Sequence, residues 1–390
     1  MSNIRARVGD ANQHTIRPTS GEATYAIIDN GIIVPLGFLG PRIGGVYGKD
    51  GNPIPSSSLQ RGPNSFLYKA DKTYTGSVQK EKGSVIFGGF YDNHFGHFII
   101  ETISRLWILN IENPGTKIVF VLPENIRRSR DSLLEIMLAK HDISFDVISR
   151  PTQYDEVVVP DAGFSLRNTF HSEHWDWLKT IAHDESSSFI NKTDQPLYLS
   201  RSMISAGQRQ AFGEVDLEKC LTEAGVKVVH PQKLPFLEQI KLISSHKTII
   251  GLEGSQLHNI IFSHGHKKII QMDRRPVNSS YRMIDIMLKN DASYIEIVPP
   301  KEYDNFKFTG KISEHYIMDV PDVIKQISEI LNIYISEAPT SSIARRNFAI
   351  AWIQWASRQF ISWAKGKTKS APMNQQDYIN NIEHAIKASN

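Results

Sequence analysis

Between Leu197 and Val298 the sequence alternates short apolar runs with amphipathic stretches, and few folds accept that alternation. Leu197-Tyr198-Leu199-Ser200 precedes a helix predicted over 214–224, and Val226-Lys227-Val228-Val229 precedes one over 235–245. Thr248-Ile249-Ile250-Gly251 leads into a helix starting at Gln256. Lys268-Ile269-Ile270-Gln271-Met272 leads into one near Ile284, and Tyr294-Ile295-Glu296-Ile297-Val298 closes the series. Runs this short and continuously apolar fit strands covered on both faces. Strand–helix–strand repeats require a mostly parallel sheet with helices on its two sides.

A similar but less regular series precedes it. Ser84-Val85-Ile86-Phe87, Lys117-Ile118-Val119-Phe120-Val121 and Val157-Val158-Val159-Pro160 are predicted strands, with helices over 94–109, 129–140 and 174–190. The first eighty or so residues are rich in Gly, Pro and Ser and predict an irregular leader with a few short strands, among them Tyr25-Ala26-Ile27-Ile28. The organisation expected is an N-terminal α/β domain over 1–192 with its leader over 1–83, and a second over 193–335. The polar stretch from Asn191 to Pro196 joins them. A helix over 336–366 and a flexible tail over 367–390 follow. The segment from Ile343 to Trp363 is amphipathic, with Phe348, Trp352, Trp355, Phe360 and Trp363 on one broad face. It is either a closing helix packed on the body or a Trp- and Arg-rich helix for a membrane interface.

Composition removes several function classes. The chain has 390 residues and one cysteine, Cys220, so neither an internal disulfide nor a cysteine-built zinc site is possible. No apolar stretch is long enough to span a bilayer and no signal-peptide core opens the chain, which predicts a cytoplasmic location. A net charge of +3 is too small to suggest nucleic-acid binding, and the clusters Arg127-Arg128-Ser129-Arg130 and Arg345-Arg346 are expected to be solvated faces. The dinucleotide fingerprint, the Walker phosphate loop, the Gly-x-Ser-x-Gly elbow and Asp-x-Asp are all missing.

Three constellations could carry chemistry. Gly254-Ser255-Gln256-Leu257-His258-Asn259 follows a buried strand and starts a helix, the place where backbone amides and the helix dipole attract phosphate. There Gly254 permits close approach, Ser255 is a cap or phosphate donor, and His258 or Asn259 could hold a ribose or sugar hydroxyl. The same residues also fit an ordinary strand-to-helix turn. Arg201 ends the strand Leu197-Tyr198-Leu199-Ser200, and Arg209 follows in a glycine-containing loop; both suit phosphate contact without a metal, or surface ion pairs. Asp92-Asn93-His94-Phe95-Gly96-His97 opens the helix over 94–109 and places His94, His97 and Glu101 on one face. That trio fits a general base, an imidazole–carboxylate metal site, or capping and core histidines.

Taken in order, these pieces resemble glycosyltransferase family 61. The family's Asn-x-Gly-His-x-x-x-Glu-x-x-x-Arg-Leu-Trp pattern is similar to Asn93 through Trp107, with one extra residue after the asparagine, so that His97, Glu101, Arg105, Leu106 and Trp107 match. Its Tyr-Ile-Ser-Arg strand end resembles Tyr198-Leu199-Ser200-Arg201, and its downstream arginine and acidic helix start resemble Arg209 and Glu214. Its Phe-x-Glu-Gln element resembles Phe236-Leu237-Glu238-Gln239, and its Gly-x-His-Gly-Ala-x-Leu-x-Asn turn resembles Gly251 through Asn259. Glu253 stands where many members have histidine, and Ser255 where they have alanine.

The resemblance implies a GT-B fold, two Rossmann-like domains facing a cleft. It also implies inverting, usually metal-independent transfer of a sugar from a nucleoside-diphosphate donor to a glycan or lipid-linked glycan acceptor in surface polysaccharide synthesis. No cofactor is expected, and the donor is expected to be UDP-linked. The expected catalytic residues are His97 and Glu101, with Asp92 as the alternative base and His94 beside them. Arg201, Arg209 and the amides from Gly254 to Gln256 are expected at the diphosphate, with Ser255, His258, Asn259 and either Glu253 or Glu238 at donor hydroxyls. The expected location is cytoplasmic, at the inner face of the membrane, with peripheral contact through residues 343–363. The competing readings are a non-catalytic nucleotide-sugar or glycan-binding assembly subunit and a GT-B-like nucleotide-sugar epimerase.

Overall fold

The computed structural model describes residues 5–6, 22–111, 117–122, 128–182, 193–204, 211–274, 279–300, 315–335, 341–366 and 375–389. Arg209, Arg127, Lys367, Lys369 and the first two linker residues, Asn191 and Lys192, lie outside them.

The second α/β series forms one parallel sheet. Its spatial order is Lys227–Val229, Leu197–Leu199, Thr248–Leu252, Lys268–Asp273, Asp291–Glu296, with the two residues Arg5–Ala6 added in parallel beside the last. Among the five main strands the chain order is therefore 2-1-3-4-5, with the reversal between Leu197–Leu199 and Thr248–Leu252. Side-chain alternation explains the continuous apolar runs: Ile249 and Ile269 enter one apolar cluster while Ile250, Leu252, Ile270 and Met272 enter another. The last strand starts three residues before the sequence suggests, because Asp291, Ala292 and Ser293 pair with Lys268, Ile269 and Ile270 despite their weak strand propensity.

The first series forms a five-stranded sheet in the order Phe145–Ile148, Lys117–Val121, Ser84–Phe90, Glu156–Pro160, Tyr25–Asp29. Its neighbours are parallel except Tyr25–Asp29, which runs antiparallel along Glu156–Pro160 and fastens the leader to the body. The strand Phe145–Ile148 is absent from the sequence expectation; four residues interrupted by Asp146 give little signal, and Asp146 is satisfied by Lys117 on the neighbouring strand at 3.4 Å.

Helices α1 (Phe95–Ile100), α2 (Asp131–Leu138), α3 (Ser172–Ala182), α4 (Glu214–Glu223), α5 (Phe236–Ser245), α6 (Ser255–His258), α7 (Ser279–Leu288) and α8 (Val320–Leu331) cover the two sheets. The single long helix expected over 94–109 is two pieces: α1 ends at Ile100, capped by Glu101, and a 3-10 helix runs over Thr102–Asn110. The break has a local cause. Thr102 donates its hydroxyl to the carbonyl of Phe90 and accepts from the amide of Asp92, and the Ser104 hydroxyl binds the Glu101 carbonyl at 2.7 Å. One apolar cluster continues from Ile86, Phe98 and Trp107 of the first series to Leu257 and Ile260 of the second. Trp175 of α3 adds a hydrogen bond to the Ser263 carbonyl at 3.0 Å. The walls of the space between the sheets are thus packed against each other.

Helices α9 (Ser341–Ala364) and α10 (Gln375–Ser389) form a hairpin. Trp352 and Trp355 are fully buried, Trp355 against Phe212 and His315, and Tyr378 of α10 packs on Trp352 and Phe360. Of the two readings of this segment, the closing helix is the one that fits Trp352 and Trp355, both core residues; the tail expected to be flexible is helical over Gln375–Ser389. Ile350, Ile361 and Trp363 remain exposed on α9. No described helix is long and apolar enough to cross a membrane.

Candidate active site

A cavity of about 1310 Å³ lies between the two sheets. Its lining comes from segments that follow strand ends: His94 to His97 after Ser84–Phe90, Arg130 and Leu133 after Lys117–Val121, and Leu166 after Glu156–Pro160. From the other sheet come Ser200 and Arg201 after Leu197–Leu199, Gln239 after Lys227–Val229, Glu253 to Gln256 after Thr248–Leu252, and Tyr281 after Lys268–Asp273. Open α/β sheets collect ligands beyond their carboxyl edges, at the point where strand order reverses. Arg201 and the Glu253–Gln256 turn stand at that point in the second sheet.

On the first wall, His97 is held from below. Its Nδ1 lies 2.9 Å from Glu101 Oε2, so Nδ1 carries the proton and Nε2 is left to accept one from a ligand. No protein group among the described residues bonds Nε2. Glu101 is buried and does not line the cavity. Arg61, from the leader, binds both its oxygens at 2.7 and 2.6 Å and lies 3.3 Å from His97 Nδ1. Burial works against the Glu101 charge, but hydrogen bonds from His97 and Arg61 outweigh it and hold the carboxyl below its usual range. Nothing in Gln60-Arg61-Gly62 marks Arg61 in the sequence, since its partner stands forty residues away.

His94 caps α1, its ring 5.0 Å from that of His97. Asp92 does not line the cavity; its carboxylate accepts the His94 amide at 2.7 Å and shapes the entry to α1, which argues against its use as the base. Among the described residues no three His, Cys, Asp or Glu side chains converge as a metal cradle.

On the second wall, Arg201 Nη1 donates to the Glu253 carbonyl at 2.6 Å, and its guanidinium lies over the Tyr316 ring at 5.1 Å. Its backbone amide is fixed by the buried Glu214 carboxyl at 2.8 Å, which also accepts from Tyr198. Burial raises the Glu214 carboxyl to about 7. These contacts aim Arg201 before any ligand arrives. Gly254 is extended rather than tightly turned, and it lies close beneath two side-chain ends: a Cβ there would stand 2.4 Å from Gln256 Oε1 and 3.0 Å from Arg201 Nη1. Gln256 ties back to the Leu252 carbonyl at 2.8 Å. Ser255 lines the cavity, but the cap position belongs to Gly254 and no side chain caps α6.

His258 lines the cavity, stacked on Tyr281 at 4.7 Å with Nε2 3.2 Å from the Ser280 hydroxyl. Burial, then the nearby His97 and His94, push its imidazole down to about 3, so it is neutral. Glu253 reaches the cavity, yet its carboxylate lies 3.7 Å from Arg274, and Tyr316 donates to its carbonyl. Two expectations need correction. Asn259 is buried against Gln239 at 2.9 Å and does not line the cavity, and Glu238 is exposed on α5 away from it. Gln239, one residue on, and Phe236 are the residues of that element that line the cavity. Arg209 lies outside the described residues.

Gly96 brings the walls together. A Cβ there would meet His258 Nδ1 at 2.9 Å and Ser255 Oγ at 3.0 Å, and the stacked His258 ring has little room to yield. Gly96→Ala is expected to force α1 from α6 at a cost of about 1–3 kcal/mol. Catalytic efficiency should then fall more than the unfolding midpoint shifts; equal activity would show that the contact is dispensable.

Residues 95–270 match the family model described as Glycosyltransferase 61. Over that segment the chain is similar to glycosyltransferase family 61. The glycosyltransferase 61 segment contains α1, Arg201, α5 and the Glu253–His258 turn, while Arg61 and Tyr281 lie outside it. No curated protein matches the sequence. Among solved structures, one similar chain is the dodecameric iron-containing heptosyltransferase TibC in complex with ADP-D-beta-D-heptose. It is 11% identical, with a TM-score of 0.26 over 55% of this chain and 63% of that one. The chain thus spans under two thirds of that structure's length.

Proposed function

We propose that the protein is an inverting glycosyltransferase of GT-B architecture, moving a sugar from a nucleoside-diphosphate donor, UDP-linked, to a glycan or lipid-linked glycan acceptor in surface polysaccharide synthesis. The observation that carries this reading is the opposition of His97 and Arg201 across one cavity at the carboxyl edges of two sheets. The family match supports sugar transfer. Inversion needs the acceptor oxygen and the leaving diphosphate on opposite faces of the anomeric carbon. Two facing walls, one basic imidazole and one guanidinium, suit that geometry.

In this scheme the acceptor hydroxyl gives its proton to His97 Nε2 as its oxygen bonds the anomeric carbon. The bond from that carbon to the diphosphate oxygen breaks, and its electron pair leaves with the diphosphate. Glu101 stabilises the imidazolium, and Arg61 keeps Glu101 ionised. Arg201 and the amides around Ser255 take the charge growing on the leaving group, so no metal is required. The reaction would run at the cytoplasmic face of the membrane, with exposed Ile350, Ile361 and Trp363 of α9 available for contact.

The test is incubation of the purified protein with a panel of nucleotide sugars, with and without a lipid-linked acceptor, followed by measurement of released nucleoside diphosphate. Release that depends on acceptor is expected. A changed sugar without release would point to an epimerase, and binding without either to an assembly subunit. Arg201→Ala is expected to cut acceptor-dependent release by about 10²–10³-fold, the usual loss for one preorganised donor; an unchanged rate would remove Arg201 from the site.

A further inference from the structure

Arg130 was expected on a solvated face, but it lines the cavity. Its position is fixed from three sides. The backbone amide donates to the Tyr91 hydroxyl at 2.5 Å, Nε donates to the Asn93 carbonyl at 2.9 Å, and the guanidinium lies over the Phe95 ring at 5.7 Å. Asn93 is itself held by the amide and hydroxyl of Ser129, at 3.1 and 2.8 Å. The acid next in sequence is taken: Asp131 pairs with Arg128 at 2.9 Å and accepts from Tyr91. Among the described residues no carboxylate pairs with Arg130, and its two terminal nitrogens bond no protein group.

A stacked, anchored guanidinium with its fork unpaired suits a planar or tetrahedral oxyanion. Its place in the fold says which substrate brings that anion. The donor diphosphate is served by Arg201 at the strand reversal of the second sheet. Arg130 stands beyond Lys117–Val121 in the first sheet, braced by the segment Asn93–Phe95 that leads directly to His97. A group bound there lies on the side of the base, with apolar Leu133 and Ile136 of α2 beside it.

We propose that Arg130 forms an anion subsite for the acceptor, which therefore presents a carboxylate or a phosphate to the first wall of the cavity. The proposal rests on the glycosyl-transfer reading of the same cavity, and it deepens that reading by naming an acidic acceptor class.

The experiment uses the full chain, saturated with whichever of UDP, ADP, GDP or CMP binds it so that Arg201 is occupied. Glucuronate, inorganic phosphate and neutral methyl glucoside are then titrated in separately by calorimetry. One of the two anions is expected to bind and the neutral sugar not to, which distinguishes an acidic sugar from a phosphate-bearing acceptor. Arg130→Gln should weaken that anion about tenfold or more while nucleotide affinity changes less than about twofold. Arg128→Gln, which removes a neighbouring charge paired outside the cavity, should change neither. Equal anion binding in wild type and Arg130→Gln would overturn the subsite. A parallel fall in nucleotide affinity would overturn it too, by assigning Arg130 to the donor. If nucleotide binds and neither anion does, the subsite alone fails. If none of the four nucleotides binds, the donor reading fails instead, and the subsite with it.

Discussion

His97→Ala is expected to lower acceptor-dependent transfer by about 10²–10⁴-fold, the range a positioned general base supplies. Donor affinity should change little, since the base acts on the acceptor hydroxyl. Glu101→Gln should produce much of the same loss although Glu101 does not touch the cavity, because the carboxylate fixes the Nδ1–H tautomer and the imidazolium that forms. Removing both residues should cost far less than the product of the single losses, because they act as one unit. The sign of the pH effect follows from the pair. Glu101 titrates below its ordinary value of 4.5, so its contribution to stability is complete above that pH and is lost as the pH falls through its lowered value. Single-turnover rates with a saturating donor would check the prediction, and intact transfer after removing both residues would contradict it.

The second large effect concerns stability. Arg105 is buried, and burial pushes its guanidinium down to about 10. It donates to the carbonyls of Pro160, Ser56 and Ser58, with the last two at 2.7 and 3.1 Å, and packs over Phe87 at 5.4 Å. One side chain therefore joins the 3-10 helix, the end of the inner strand Glu156–Pro160 and the leader that carries Arg61. Arg105→Leu would remove a buried charge, which is favourable, but strand three carbonyls without donors. The expected net loss is about 3–5 kcal/mol, read as a lower urea midpoint. Arg105→Lys should fall between, since an ammonium cannot reproduce the planar fork. An unchanged midpoint in Arg105→Leu would show that water satisfies those carbonyls.

Arg105 also shows what a motif can conceal. The ordered pattern from His97 to Trp107 carries a family resemblance, yet only its first part meets the cavity. Arg105 and Trp107, which bonds the Asp161 carbonyl at 2.9 Å, hold the scaffold together. The strands were legible where both faces are covered, as in Thr248–Leu252, because two-sided burial leaves an uninterrupted apolar run. The break after Glu101 was not, since it depends on Thr102 and Ser104 hydroxyls capturing carbonyls that only the folded chain brings within reach.

Helical phase decided another residue. Phe236, Ile240 and Ile243 mark the buried face of α5, which places Gln239 inward and Glu238 outward; that much was present in the sequence. Arg61 was not. Its value comes from a bidentate contact with Glu101 across forty residues of irregular chain, and no periodicity records such a contact. Arg130 illustrates the converse. A basic cluster was visible, but not that one member is stacked on Phe95 and turned into the cavity while Arg128 pairs with Asp131.

The central claim is that the turn from Glu253 to Gln256, together with Arg201, seats a donor diphosphate opposite His97. The structure of the protein crystallised with UDP, or with the nucleoside diphosphate that binds it, tests this most directly. Both phosphates should lie within hydrogen-bonding distance of the Arg201 guanidinium and the amides around Ser255, with open space between them and His97 Nε2. A diphosphate bound elsewhere, with Arg201 still turned only to the Glu253 carbonyl and Tyr316, would contradict the account.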